Sequence, residues 1–278
     1  MVQTTRRRML EITTDYLDAM VRHSPQGLPL SEDVRCTYNS EVSAPGDNEL
    51  WRRVRRIPQR QSFVDEQTGN VVFFGIVTNE VLSMPGVSAD AVMAWWFYIL
   101  RLKIEDGRIT EIEEIAAPSR QRGFLVDIQE VPLPEMLFEV PIDPEDRMTR
   151  EELVDVANCY WDGIENKIPY ERLPVHPDAR RCELGLFTTD NPQTPDSLKT
   201  NIALPGFTWD IRQRRFPVVD PKRGLVISAV SFRQKSPQLP TGMGSAVMEI
   251  FRIEDGLMKF LYAFFLRGAP EKSPWVEE

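Results

Sequence analysis

The stretches "KIEDGR" at Lys103–Arg108 and "RIEDGL" at Arg252–Leu257 share a four-residue core, and setting Ile104 against Ile253 puts them 149 positions apart. Asp-Gly between two apolar runs is a signal for a tight β-hairpin, because both residues accept positive φ. A spacing of 149 exceeds any solenoid or propeller repeat and is about the size of a small domain. The repeated turn therefore predicts that the chain of 278 residues is one domain written twice.

Matches outward from the turn keep the same order. "YLDAM" at Tyr16–Met20 faces "YWDGI" at Tyr160–Ile164, and "LPLSEDVR" at Leu28 faces "LPVHPDAR" at Leu173. "AVM" at Ala91 faces "AVM" at Ala246, and "AAP" ending at Pro118 faces "GAP" ending at Pro270. Along the chain the offsets run 144, 145, 155, 149 and 152, differing by loop-sized insertions and never reversing. The polar, proline-bearing "DPEDRMT" places the boundary near Asp146, giving domains at 1–145 and 146–278.

Each half reads as helix first, then sheet. Met9 to Arg22 has apolar residues at helical spacing, and "SPQGLPLSED" predicts a turn followed by a short second helix. "VRCTYNSEV" is a short strand, and "DNELWRRVRRI" offers an Asp or Asn cap before another helix. Two long hairpins follow, turning at Thr68-Gly69 and Asp106-Gly107. The second half repeats the plan, with a helix at Arg150–Glu165 opened by the capping box "TREE", a strand near Arg181, and three long strands after it. The fold class is α+β, with helices on a curled antiparallel sheet whose open end leaves a pocket.

Composition narrows the partners. Apolar residues make up 42% of the chain, enough for a sizeable core, and the net charge of -9 opposes a phosphate-coated partner, so no nucleic acid is expected. The arginines of "LWRRVRRIPQR" read as the solvated face of a short helix. The first twenty residues lack an apolar run behind their arginines, and no uninterrupted apolar run reaches the ~18 residues of a span, so the expectation is a cytoplasmic protein with no membrane. Cys36, Cys159 and Cys182 stand in no CxxC pair and read as free thiols. With only His23 and His176, no HExxH, no phosphate loop and no GxSxG elbow, neither a metal nor another cofactor is expected.

The order of elements, closed by "IEDGRITEIEE", resembles the NTF2-like superfamily of cone folds, which includes ketosteroid isomerases, SnoaL-type polyketide cyclases, scytalone dehydratases and non-catalytic members. The resemblance covers both halves and implies two tandem cones, an internal pseudo-dimer that further associates as a homo-oligomer. It singles out Tyr38, which looks like the pocket tyrosine of the scytalone dehydratases, and Tyr16, placed like the oxyanion-hole tyrosine of the ketosteroid isomerases. Tyr160 occupies the matching place in the second half and opens a packing role for both. Where the dehydratases carry a histidine, this chain reads "AWWFY", so the family's usual base is missing.

Alternation in "WWFYILRLKI" puts Trp95, Phe97, Ile99, Arg101 and Lys103 on one face and Trp96, Tyr98, Leu100, Leu102 and Ile104 on the other. If the first face lines the cavity, Trp95 and Phe97 form an aromatic wall and Arg101 and Lys103 stabilise charge on oxygen; if the second does, the cations are solvated. His23 and Asp18 fall near the mouth, and Asn39 either orients a substrate hydroxyl or makes a turn. The catalytic candidates are Tyr38, Arg101 and Lys103; the substrate-binding candidates are Tyr16, Asn39, Trp95, Phe97 and His23.

Two function classes follow. One is a cofactor-independent lyase on a small hydroxylated aromatic substrate; the tandem cones and missing metal ligands are similar to the sphingomonad lyases that deformylate lignin-derived diarylpropane diols to stilbenes. The enzymatic alternative is a cyclase, dehydratase or isomerase in which Tyr38 and Tyr16 stabilise an enolate, with no base placed in the cone by sequence. The other class is a non-catalytic binding module.

Overall fold

The computed structural model describes residues 4–79, 95–119, 138–189, 209–234, 244–270 and 273–276. Two compact units divide at Ile128 and Gln129. Residues 138–145, assigned above to the first domain, join the second: the Ile142 amide donates to the Lys222 carbonyl, and Arg252 Nη1 donates to the Val140 carbonyl at 2.7 Å.

The first unit opens with α1 (Arg6–Val21), whose N-cap Thr5 accepts from the Arg8 amide. Met9, Ile12, Tyr16, Leu17 and Met20 recur at three- and four-residue steps and are buried, which fixes the inward face of the helix. The helix stops at His23, left-handed at φ 58; its amide donates to Met20 O and the Ser24 amide to Ala19 O, a Schellman closure with histidine where glycine is usual. Then come β1 (Leu30–Tyr38), β2 (Glu41–Val42), α2 (Glu49–Arg53), β3 (Arg56–Asp65), β4 (Asn70–Thr78), β5 (Trp95–Glu105) and β6 (Arg108–Pro118). The "LPLSED" stretch, expected as a short helix, begins β1 instead: Leu30 pairs with Ile109 of β6, and tertiary pairing overrides the local turn signal. The helix expected through "RRVRRI" ends at Arg53, because Val54 is already extended and Arg56 pairs with Thr78.

The sheet order is β2-β1-β6-β5-β4-β3. Every neighbour is antiparallel except β1 and β6, which run parallel, so the expected all-antiparallel sheet carries one parallel joint. The second unit has α3 (Arg150–Asn166) and β7 (Val175–Glu183), β8 (Leu186–Phe187), β9 (Trp209–Asp220), β10 (Leu225–Gln234), β11 (Gly244–Glu254) and β12 (Leu257–Ala269). Its order, β8-β7-β12-β11-β10-β9, repeats the first, parallel joint included. The capping box on α3 is present in full, Thr149 and Glu152 each satisfying the other's backbone.

The shared turns close both sheets alike. Asp106 and Gly107 take φ 49 and 75, and Asp255 and Gly256 take φ 53 and 74, the double positive φ of the tight hairpin. On the residue before each turn's acidic pair, Ile104 N donates to Gly69 O and Ile253 N to Gly224 O, both at 2.8 Å. Those glycines leave no room for a side chain, since a Cβ would sit 2.6 Å from Ile104 O in one unit and would clash with Ile253 O in the other. The "AVM" of the first half lies outside the described residues. No helix among the described residues is long and apolar enough to cross a membrane.

Candidate active site

The face of the first sheet that meets α1 carries Trp96, Tyr98, Leu100, Leu102 and Ile104 from β5, Ile112 and Ala116 from β6, and Cys36 and Tyr38 from β1, packed in one core with Tyr16 and Trp51. Among these apolar neighbours stands Glu114, with no solvent exposure. It is paired in register with both Tyr38 and Leu100, and alternation with Ile112 and Ala116 sends its carboxylate into the core.

Three neutral donors hold that carboxylate. Tyr98 Oη donates to Oε1 at 2.6 Å, Trp51 Nε1 to the same oxygen at 2.9 Å, and Asn48 Nδ2 to Oε2 at 2.7 Å. Asn48 serves twice, because its Oδ1 also accepts the Trp51 amide and caps α2. The short helix thus delivers two donors to one acceptor, and its cap fixes their spacing. Tyr16 packs edge-on to Trp51 with ring centroids 5.3 Å apart, and its buried hydroxyl lies beside Trp51 and the Glu114 carboxylate, outside strict hydrogen-bond geometry.

The electrostatics follow from burial. Loss of water pushes the Glu114 carboxyl above the usual carboxylate range, against the pull of its hydrogen bonds from Tyr98, Trp51 and Asn48. Burial, and after it the negative charge of Glu114, also raises the phenols: Tyr16 and Tyr98 go well above the ordinary tyrosine value, and Tyr38 reaches about 12. Cys36 is likewise pushed to about 12, which makes it a protonated thiol and no nucleophile at neutral pH. The site is a carboxyl shifted upward by burial and ringed by phenols that stay protonated at neutral pH.

Tyr38 and Tyr16 therefore converge on one carboxylate, whereas the other candidates separate from it. Arg101 lies on the opposite face of β5 and is neither solvated nor available: Nε donates to Glu113 Oε2 and Nη1 to Glu111 Oε2, each at 2.7 Å, and Nη1 also reaches Asn70. Its 3% exposure and two carboxylates make it a buried structural cation, correcting both readings of that face. Lys103 Nζ donates to Thr68 O at 2.5 Å and so ties down the β3–β4 turn. Trp95 and Phe97 stack edge to face, 4.9 Å apart, on the Arg101 side of the sheet and away from Glu114. Asn39 is backbone bracketing: its amide donates to Glu114 O, its Oδ1 accepts Ala116 N at 2.9 Å, and its φ is 53. His23 is half-buried, with Nδ1 against the Trp51 carbonyl and Nε2 2.9 Å from Arg55 Nη1. Asp18 meets Arg60 at 3.5 Å.

Glu114 was the residue missed. Its signal was present in "RITEIEEIAAP", where one glutamate shares strand parity with Ile112 and Ala116 on a face that should be wholly apolar. Asn48 and Trp51 carried no such signal, because only the fold brings α2 over β6.

The second cone is built differently. Register places Ala263 opposite Glu183 as Glu114 lies opposite Tyr38, so the carboxylate position is a methyl group there. A carboxylate appears one strand over as Glu249, which pairs with Ala263 as Leu100 pairs with Glu114. Arg181 stands 3.6 Å from Glu249 and 2.8 Å from Glu183, under the Tyr160 ring. Burial lifts Glu249 to about 7 in spite of the arginine. Tyr160 Oη, Trp161 Nε1, Ser228 Oγ and Glu249 Oε1 are buried without hydrogen-bond partners. Of the thiols, Cys36 and Cys182 are buried and Cys159 is exposed. Among the described residues, no three His, Cys, Asp or Glu side chains gather as a metal site.

A profile described as "Domain of unknown function (DUF8021)" matches the chain in two stretches, residues 2–116 and 146–265. The chain belongs to that family. The two matched stretches span the helix and nearly all of the sheet of each unit. No curated protein matches the chain. Solved structures similar to it include a putative polyketide cyclase from Xanthomonas campestris pv. campestris, at 15% identity over 40% of this chain and 92% of that one, with TM-score 0.32. BvnE pinacolase from Penicillium brevicompactum is 13% identical over 42% of this chain and 87% of its own, with TM-score 0.32. An NTF2-like protein from Cytophaga hutchinsonii is 14% identical over 43% and 98%, with TM-score 0.30.

Proposed function

We propose that the first unit is a cofactor-independent acid–base enzyme acting on a small, largely apolar molecule that carries a carbonyl or hydroxyl group, in an isomerisation or dehydration. The observation that carries this reading is Glu114: a carboxyl in an apolar interior, held by three neutral donors and beside the phenol of Tyr16. Burial raises its basicity toward the working pH, where a carboxylate both takes and returns a proton efficiently.

In this reading Glu114 removes a proton from the carbon next to a carbonyl, and the electron pair moves onto the carbonyl oxygen. Tyr16 donates a hydrogen bond to that oxygen. Returning the proton to a second carbon completes an isomerisation; delivering it to a departing hydroxyl completes a dehydration, with water as the product. Tyr98, Trp51 and Asn48 are positioning residues that hold the carboxylate. Tyr38 is the half-buried member of the set and, in this reading, excludes water when substrate is bound.

The formaldehyde-releasing reading on lignin-like diols asked for cations beside the substrate, and Arg101 and Lys103 are spent elsewhere. Both readings are tested by one experiment. The full chain is incubated in deuterated buffer with cyclic enones, hydroxylated aromatic ketones and phenolic diols, while deuterium uptake, double-bond migration and formaldehyde are followed. Deuterium uptake lost in Glu114→Gln and kept in Lys103→Met supports the acid–base reading. Uptake unchanged in folded Glu114→Gln would overturn it, and formaldehyde with a stilbene absorbance would favour the lyase.

A further inference from the structure

We infer that the first unit also carries an anion-binding cleft, separate from Glu114, for the oxyanion of a small carboxylate or phosphate compound. The cleft, about 480 Å³, lies between the C-terminal end of α1 and the start of β3; among the described residues Arg22, Arg55 and Arg60 line it with Arg56, and Asp18 is the carboxylate in the lining. Four cations around one concavity run against a chain whose net charge is -9. Such a concavity concentrates positive potential where the rest of the surface does not.

The arginine run of this segment divides in two. Arg52 and Arg53 are neutralised on α2, by Asp47 at 3.2 Å and Glu49 at 3.0 Å. Arg55 is held instead by the imidazole of His23. The Trp51 carbonyl takes the proton on Nδ1, which leaves the Nε2 lone pair to accept from Arg55 Nη1 at 2.9 Å. The ring orients the guanidinium without setting a carboxylate beside it, and the left-handed Schellman end of α1 sets the ring in place. Arg60 is aimed by the Ile57 carbonyl at 3.4 Å and meets Asp18 only at 3.5 Å, a long contact between exposed groups that contributes little. The lining cations are all arginine, whose planar fork matches carboxylate and phosphate oxygens two bonds at a time. Ile57 and Pro58 supply an apolar edge for the body of the ligand. The cleft is small, so the occupant is a soluble small molecule.

Calorimetric titration of the full chain at low salt, with inorganic phosphate in one arm and succinate in the other, tests the assignment. Saturable one-site binding in either arm is expected, and the stronger arm names the source of the oxyanion. The double variant Arg22→Gln, Arg55→Gln should bind at least about tenfold more weakly, while the exposed Arg172→Gln leaves binding unchanged. Asp18→Asn should tighten it by removing an opposing charge from the lining, a gain that misfolding cannot mimic. Absence of saturation in both arms, or equal affinity in the double variant, would overturn the proposal. So would tight binding of a short DNA duplex without saturation by either small anion, which would mark an extended phosphate-backbone surface instead.

Discussion

Glu114 and Ala263 hold the same place in the two sheets, each opposite the last residue of the parallel edge strand, Tyr38 in one case and Glu183 in the other. One duplicated position therefore carries a buried carboxyl in the first cone and a methyl group in the second. On the proposed function, acid–base chemistry at this position belongs to the first unit alone, and Ala263→Asp should add no activity. Turnover of a first-unit substrate in that variant after Glu114 has been removed would disprove the assignment.

Glu249 makes stability depend on pH. Its folded value of about 7 lies above the ordinary 4.5, so the folded state holds the proton more tightly than the unfolded chain does. The contribution is complete below about 4.5 and is lost as pH rises through about 7. Across that window it amounts to roughly 3 kcal/mol. Urea unfolding at pH 5 and pH 8 should show the loss in the parent chain and a much smaller one in Glu249→Gln.

Arg101→Met should destabilise the first unit by about 3–5 kcal/mol, because it strands Glu113 inside the protein without its cation. Arg101→Met with Glu113→Leu should recover most of the loss, and activity per folded molecule should hold in the double variant. Thermal unfolding paired with a turnover assay distinguishes this structural cation from a catalytic one.

Removing the Tyr98 hydroxyl takes away the shortest hydrogen bond to the charged form of Glu114. Tyr98→Phe should cost about 1–3 kcal/mol and raise the Glu114 value further, moving the acid limb of kcat/KM to higher pH. A profile that does not move would show that Glu114 is not the group being titrated.

At Asn39 the left-handed backbone and the bond to Ala116 N are both at stake. Asn39→Ala should lower stability by about 1–2 kcal/mol, whereas Asn39→Gly, free of the backbone strain, should cost less. Equal KM for both variants and the parent chain would separate this bracket from substrate binding.

The duplication and the long hairpins were legible because their signals are local: Asp-Gly turns, strand alternation and the box at Thr149. The parallel joint was not, because Leu30 meets Ile109 through pairing that no short window encodes. In the site, Tyr16 and Tyr38 were found through resemblance, yet the group they surround was passed over. A glutamate on a hairpin ordinarily reads as surface charge, and only the packing of α2 across β6 shows that Asn48 and Trp51 supply the donors that make its burial tolerable. Arg101 failed in the opposite sense. Alternation named its face correctly, but its carboxylate partners sit on the neighbouring strand, where a single strand's pattern says nothing of them.

The parallel pairing of β1 with β6 also sets a timetable. Leu30 leaves the ribosome 79 positions ahead of its partner Ile109, an interval of about 4–16 s at 5–20 residues per second. Until the hairpin of β5 and β6 emerges, the strand bearing Cys36 and Tyr38 has only the two-residue β2 beside it, and Glu114 arrives in the same late segment. The carboxyl thus meets water during synthesis and loses it only when the sheet shuts, so its weakened acidity comes with the finished sheet.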